Sequence, residues 1–194
     1  MMDSLNKILK EVFMDNNIIN SERIYFSQIQ NEDLINFYPW FSDVEFLKYY
    51  DYVLPIPQSK EEVDKTFKYY ETNESSAVFS IKLKESNKVI GIAGFDDIVK
   101  QNKVATLFIG IGDKNLRGQG FGKEAINLLL KYGFEKLDFH RIQLNVLQFN
   151  NTAINMYEKV GFIKEGTYRE FVLRDGKRFD LYLYGLLKSE WENK

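Results

Sequence analysis

The sequence predicts a single α/β domain, and three stretches carry that prediction. In the first, Val104, Leu107, Ile109 and Ile111 lie in a β-rich run that enters the glycine turn Arg117-Gly118-Gln119-Gly120-Phe121-Gly122. An amphipathic helix leaves that turn, with Ile126, Leu129, Leu130, Gly133 and Leu137 at helical spacing. In the second, His140 to Gln148 alternates Ile142, Leu144 and Val146 against Gln143 and Asn145, as a half-buried strand does, before Asn150-Asn151-Thr152 opens another helix. In the third, two long strands over 163–173 and 177–187 flank Asp175-Gly176, a dipeptide suited to the positive φ angles of a tight hairpin turn.

The remaining elements follow in order. Leu5, Ile8, Leu9, Val12 and Phe13 predict an amphipathic helix over 3–14, a helical extension within residues 1–20 that packs on the domain or on a partner chain. A first strand is predicted over 23–29. Asn31 is placed to cap a short helix carrying Leu34, Ile35 and Tyr38, which Pro39 should limit. Eight aromatic residues from Phe37 to Tyr52 form a dense cluster, read as a packed helical lid or cleft wall. Pro55 and Pro57 forbid a continued helix and mark a loop. Ser59, with Glu62 three residues on, reads as a capping box for a helix that carries Val63, Phe67 and Tyr70. Strands are predicted over 77–84, 88–95 and 104–112, the first two joined by the polar turn Glu85-Ser86-Asn87. Gly161, just past the helix of Ala153, Ile154, Tyr157 and Val160, reads as a left-handed helix end, with Phe162 closing the contact behind it.

Composition narrows the function classes. The 194 residues suit one domain with a sizeable core. A formal charge of −2 argues against non-specific binding to nucleic acid, which depends on a surplus of Lys and Arg. The chain has no Cys and one His, His140, so it offers no disulfide, no thiol nucleophile and little basis for a metal site or a Ser-His-Asp triad. No apolar run is long enough to span a membrane, and the N-terminus lacks a signal-peptide pattern. A cytoplasmic protein with neither nucleic acid nor membrane as partner is expected.

The glycine turn is the chemically suggestive segment. Three glycines in five residues remove the Cβ atoms that would block a ligand's approach to the backbone. The turn opens directly onto a helix, where unpaired N–H groups and the positive end of the helix dipole favour an anion such as pyrophosphate. The letters fit neither G-x-G-x-x-G nor a P-loop, so neither a dinucleotide fold nor an NTPase is predicted. A glycine-rich connection without a ligand remains the alternative on these residues alone.

Two segments in register resemble the GCN5-related N-acetyltransferase superfamily, in particular its ribosomal-protein and spermidine acetyltransferases. Arg117, Gly120 and Gly122 match its pyrophosphate loop: Gln or Arg, any two residues, Gly, any residue, then Gly or Ala. Asn150-Asn151-Thr152-Ala153-Ile154-Asn155-Met156-Tyr157-Glu158-Lys159-Val160-Gly161-Phe162 resembles its later block of Asn, Ala, Tyr-Glu-Lys and Gly-Phe. The resemblance covers about residues 20–190. It implies a mixed central β-sheet splayed in the middle, with helices on both faces and acetyl-coenzyme A (acetyl-CoA) held as co-substrate in the split between the strands at 104–112 and 140–148.

By the same resemblance, the backbone at Ile109 and Ile111 pairs with the pantetheine arm, and the amides of Arg117, Gly118, Gln119, Gly120, Phe121 and Gly122 meet the pyrophosphate. Asn150 meets the pantetheine. Lys159 either reaches the 3′-phosphate or is an ordinary solvated helix lysine. Tyr157 serves the departing sulfur. The implied activity is acetyl transfer to a primary amine (a protein N-terminus, a polyamine, or an amino sugar or aminoglycoside antibiotic) directly, in a ternary complex and with no metal. Many relatives carry a glutamate base where Thr106 stands. That departure leaves a water relay, a carboxylate such as Asp96 or Asp97, or an amine that arrives neutral, and it keeps open a non-catalytic acyl-CoA-binding sensor or regulatory module. Asp43, Glu45 and Asp51, among the aromatics of 37–52, suit a cationic acceptor. Relatives commonly dimerise, and the paired C-terminal strands offer an edge for a homodimer.

Overall fold

The structure, a computed structural model, describes residues 19–193; the predicted helix over 3–14 lies outside the described residues. Seven strands, β1 (Ile24–Gln28), β2 (Ala77–Leu83), β3 (Val89–Val99), β4 (Val104–Ile111), β5 (Arg141–Leu147), β6 (Ile163–Arg174) and β7 (Lys177–Leu187), form one sheet in the order β1-β2-β3-β4-β5-β7-β6. The described α-helices are α1 (Leu34–Phe41), α2 (Val44–Tyr50), α3 (Lys60–Thr72), α4 (Phe121–Lys131), α5 (Asn151–Val160) and α6 (Lys188–Glu192). The short α6 has no counterpart in the sequence reading.

The sheet is antiparallel except where β4 meets β5, and that junction fixes the molecule's shape. The two strands share only three parallel pairs, Val104–Arg141, Ala105–Ile142 and Thr106–Gln143. Beyond Thr106, β4 continues to Ile111 along β3, while β5 continues to Leu147 along β7. The strands therefore part at Thr106 and Gln143, which is the splay the family resemblance implies. Alternation along β4 supplies both faces of the core. Leu107, Ile109 and Ile111 join the cluster under α4 and α5, whereas Phe108 joins the cluster built from α1, α2 and α3.

Local signals in the sequence account for most boundaries. Ser59 Oγ accepts the Glu62 N–H at 3.3 Å and Glu62 returns the bond to the Ser59 N–H at 2.7 Å, so the capping box that opens α3 is complete. Asp175 and Gly176 take φ of 50° and 73°, the left-handed pair that a two-residue hairpin turn requires between β6 and β7. At the end of α5, Gly161 has φ 109°, its N–H reaches the Glu158 carbonyl, and the Phe162 N–H reaches the Tyr157 carbonyl. This double closure satisfies carbonyls that the helix would leave unpaired.

Four expectations are corrected. Gln30 rather than Asn31 holds the N-cap position, because the Asp33 carboxylate turns back to the Gln30 N–H at 3.1 Å. Asp33 is buried and satisfied there by Ser80 at 2.7 Å and Lys82 at 2.8 Å. Pro39 lies inside α1 and does not limit it. A proline in a helix interior costs about 3 kcal/mol, whereas burying Phe37 and Phe41 against Phe67 supplies about 1.5–3 kcal/mol for each ring. The strand predicted over 88–95 runs on to Val99, since Asp97 at φ 49° makes an irregular step inside it rather than a turn after it. Finally, α4 stops at Lys131 and passes into a π-helical turn over Tyr132–Lys136, so Leu137 follows the helix instead of closing its last turn.

Candidate active site

The opening between β4 and β5 is a cavity of about 330 Å³. Ile109, Ile111, Gly122, Asn150 and Tyr157, predicted separately from two distant segments, all line it. The wall towards α2 and α3 is aromatic and acidic, with Tyr49, Tyr50, Asp51, Tyr70, Asp96 and Thr106 among its residues.

The glycine turn is held from below, and the N–H groups of Gly118 to Gly122 have no backbone acceptor among the described residues. Gly118 and Gly120 take φ of 76° and 86°, which only glycine adopts without strain, and Gly120 is the N-cap of α4. The Glu124 N–H makes the helix-type bond to Gly120 at 3.0 Å, so the amides before it have no carbonyl one helical turn back. Arg117 points its side chain away from the turn's mouth. Its Nε donates to the Ile111 carbonyl at 2.9 Å and Nη2 to the Gly112 carbonyl at 3.1 Å, with the guanidinium 5.7 Å from the Phe46 ring centre. Arg117 thus braces the exit of β4, and its own N–H is engaged by the Lys114 carbonyl at 3.4 Å, so the amide expected at the pyrophosphate is not free at this residue. Gln119 Nε2 is likewise turned back, onto the Asn115 carbonyl at 2.6 Å. The Phe121 ring is buried beneath the turn.

A cation missed in the sequence stands at this turn. The Arg23 Nη1 donates to the Gln119 carbonyl at 3.1 Å, and its guanidinium covers Phe121 at 4.1 Å. Glu124 orients it, accepting the Arg23 N–H at 2.8 Å and Nε at 2.7 Å. Burial alone would raise the Glu124 pKa, but the bonds from Arg23 and Ser21 outweigh it and hold the carboxyl below its usual range. No local pattern could have revealed Arg23, because it reaches the turn only through the packing of β1 beside α4.

Asn150 caps α5 through the Ala153 N–H at 3.3 Å, and its amide reaches the Tyr49 carbonyl at 3.5 Å, linking the two walls. Lys159 is exposed on α5 and does not line the cavity. Tyr157 is 7 % exposed, and its ring meets Phe162 edge-on at 5.8 Å. Among the described residues nothing hydrogen-bonds its hydroxyl, and burial pushes the phenol well above its ordinary pKa. It is a neutral donor with no acceptor among the described residues.

The acidic wall differs from the one expected. Asp43 and Glu45 are both drawn onto Lys114, at 3.0 and 3.4 Å, and neither lines the cavity. Asp51 lines it as expected, joined by Asp96 and Asp97, and none of the three pairs with a described Lys or Arg. Burial raises the Asp96 pKa, the Asp97 N–H partly opposes this, and the Asp97 charge adds to it. Burial, reinforced by the charges of Asp96 and Asp51, pushes Tyr70 to about 12. A negative, aromatic recess of this kind suits a cation. Among the described residues no group of His, Cys, Asp and Glu is placed to hold a metal ion, and no helix is long and apolar enough to cross a membrane.

Comparison with known proteins agrees with this geometry. Residues 23–163 match the family model described as an acetyltransferase (GNAT) domain, GNAT being the GCN5-related N-acetyltransferases. An N-acetyltransferase called p20 from Bacillus licheniformis is 30% identical over 174 residues, covering 88% of this chain and 96% of that protein. A spermidine N(1)-acetyltransferase from Vibrio cholerae is 27% identical over 137 residues, 71% of this chain and 78% of that protein. A crystal structure of spermidine N-acetyltransferase from Vibrio cholerae in complex with CoA and spermine superposes with a TM-score of 0.81 at 24% identity, covering 88% of this chain and 98% of that one. On the match over residues 23–163, with the splayed sheet, the glycine turn and the Tyr157 helix in place, the chain belongs to the GNAT family of N-acetyltransferases.

Proposed function

We propose that the protein moves the acetyl group of acetyl-CoA directly to a cationic primary amine in a ternary complex. The observation that carries this reading is one cavity with two unlike walls: an unpartnered phenol beside a strand edge, and three unpaired carboxylates among tyrosines. In this reading the amides from Gly118 to Gly122 hold the pyrophosphate, the Arg117 N–H stays on the Lys114 carbonyl, and Arg23 adds positive charge beside them. The open edge of β4 at Ile109 and Ile111 pairs with the pantetheine, Asn150 contacts the same arm, and Lys159 is available to the 3′-phosphate. Direct transfer follows from the absence of Cys, the usual acyl-carrying nucleophile, from the sequence.

Tyr157 acts as a hydrogen-bond donor to the developing thiolate rather than as a full acid. On ordinary values a phenol near pKa 10 is already about 2 kcal/mol short of protonating a thiolate near 8.5. Burial of Tyr157 raises its pKa and widens that gap. A donor that keeps its proton can still stabilise the leaving charge.

Three acceptors test the proposal in a thiol-release assay with acetyl-CoA: spermidine, a peptide with a free N-terminal alanine, and an aminoglycoside. The expected result is turnover with at least one of them. Tight CoA binding with no turnover on any overturns it and supports the non-catalytic acyl-CoA-binding module, whose one point in favour is Thr106.

A further inference from the structure

The proposed reaction lacks a group to take the acceptor's proton, because the residue on β4 facing the recess is Thr106, which does not ionise near neutral pH. The strand register supplies a substitute. Asp96 on β3 pairs directly with Thr106 on β4. Side chains of such a pair share one face of the sheet, with Cβ atoms about 4.5–5.5 Å apart. Thr106 pairs in turn with Gln143 on β5, whose Nε2 reaches Thr106 Oγ1 at 3.4 Å. Asp96, Thr106 and Gln143 therefore form a row across three strands at the last pair before the sheet opens. A carboxylate at Asp96 is displaced by one strand, not lost.

Of the three carboxylates in the cavity, Asp96 is the one whose surroundings suit a base. Asp51 Oδ1 is engaged by the Tyr52 and Val53 N–H groups, at 2.6 and 3.4 Å, beyond the end of α2. Asp97 is exposed. Asp96 is half-buried, its Oδ1 takes the Asp97 N–H at 3.1 Å, and no bond to its Oδ2 occurs among the described residues. The groups around it are Asp97 on its own strand, Tyr70 on α3, and Tyr50 and Asp51 at the end of α2. None is a cation that would hold its proton off, and burial makes it a better proton acceptor than a free carboxylate.

We infer that Asp96 is the catalytic base, accepting a proton from the acceptor amine at the point where the β4–β5 split begins. The inference rests on the amine-acetylation reading above. Two protons leave the ammonium nitrogen in the whole reaction. Asp96 takes one and passes it to solvent through the open cavity. The freed lone pair forms the N–C bond, the C–S bond breaks with its electron pair on sulfur, and the second proton ends on the thiolate.

The test is the pH dependence of kcat for wild type and Asp96→Asn, measured by thiol release with the best of the three acceptors. Asp96→Asn should lower kcat by about 10²-fold or more near neutral pH. Its rate should then climb about tenfold per pH unit towards the amine's own pKa, about 10.4 for an alkyl amine and about 8 for a peptide N-terminus, where the wild-type rate has levelled off. Asp96→Glu should recover the plateau. CoA-induced thermal stabilisation equal to wild type establishes that the variant is folded, and Asp96→Ser carries the same test if the Asn variant does not fold. A folded variant with kcat within about threefold of wild type and the same pH profile overturns the inference. Absence of wild-type turnover with every acceptor overturns the acetyltransfer reading itself, and is seen before any variant is compared.

Discussion

Tyr157 separates the demands of folding from those of chemistry. Its ring fills the core beside Phe162, while its hydroxyl has no acceptor among the described residues, so removing the oxygen leaves no described partner stranded. Tyr157→Phe is therefore expected to leave the unfolding free energy from urea titration within about 0.5 kcal/mol of wild type. On the proposed reading the same change removes the donor to the leaving sulfur, and it should lower kcat about 10²-fold while leaving CoA affinity nearly unchanged. Thiol-release kinetics, a urea titration and calorimetric CoA binding check the three parts, and a fall in stability equal to the loss of activity would refute the division. The placement of such residues was legible in the sequence where a motif fixes them: Tyr157, Asn150 and Gly122, picked out by resemblance, come together in one cavity. Arg23 and the row from Asp96 to Gln143 were not, because they exist only once β1 lies beside α4 and β3 beside β4. The charges expected of Asp43 and Glu45 were misplaced for the complementary reason, since Lys114 lies far along the chain from both and neutralises them.

At the scale of elements, the turn before α4 shows how local conformation and ligand geometry are joined. A Cβ at Gly118 would meet no atom within 4 Å, whereas at Gly120 it would lie 3.4 Å from Arg23 Nη2. Alanine at either position has to adopt positive φ, at a cost of about 1–2 kcal/mol, or roughly 2–8 °C in Tm for a domain of this size. Only Gly120→Ala also sets a methyl in van der Waals contact with Arg23. It is expected to lose CoA affinity beyond the loss in Gly118→Ala at similar Tm, as measured by calorimetry; equal affinities in the two variants would exclude Arg23 from the phosphate site. Element boundaries were legible wherever a side chain closes its own helix end, as at Ser59 and Glu62 or at Gly161. They were not legible where tertiary packing overrides propensity, as when the rings of Phe37 and Phe41 carry α1 through Pro39.

At the scale of the whole molecule, the sheet consists of two antiparallel halves joined by three residue pairs, and the cavity occupies the rest of the seam. Sequence periodicity could place strands on either side of that seam but could not show where pairing stops; the splay came from family resemblance, and its position at Thr106 and Gln143 came from the register. The free edges of β4 and β5 beyond the seam leave backbone N–H groups without a strand partner, and such amides open and exchange readily. A ligand that bridges the edges adds its own pairing and ties the halves together. Hydrogen exchange should therefore slow along Leu107–Ile111 and Leu144–Leu147 when CoA is added, while β1 and β2, distant from the seam, change little. At 100 times Kd the same ligand should add about 2.7 kcal/mol to stability, a shift of roughly 5–11 °C in Tm for a chain of 150–250 residues. Protection confined to the glycine turn, with the strand edges exchanging as before, would mean that the nucleotide binds without its pantetheine arm entering the split.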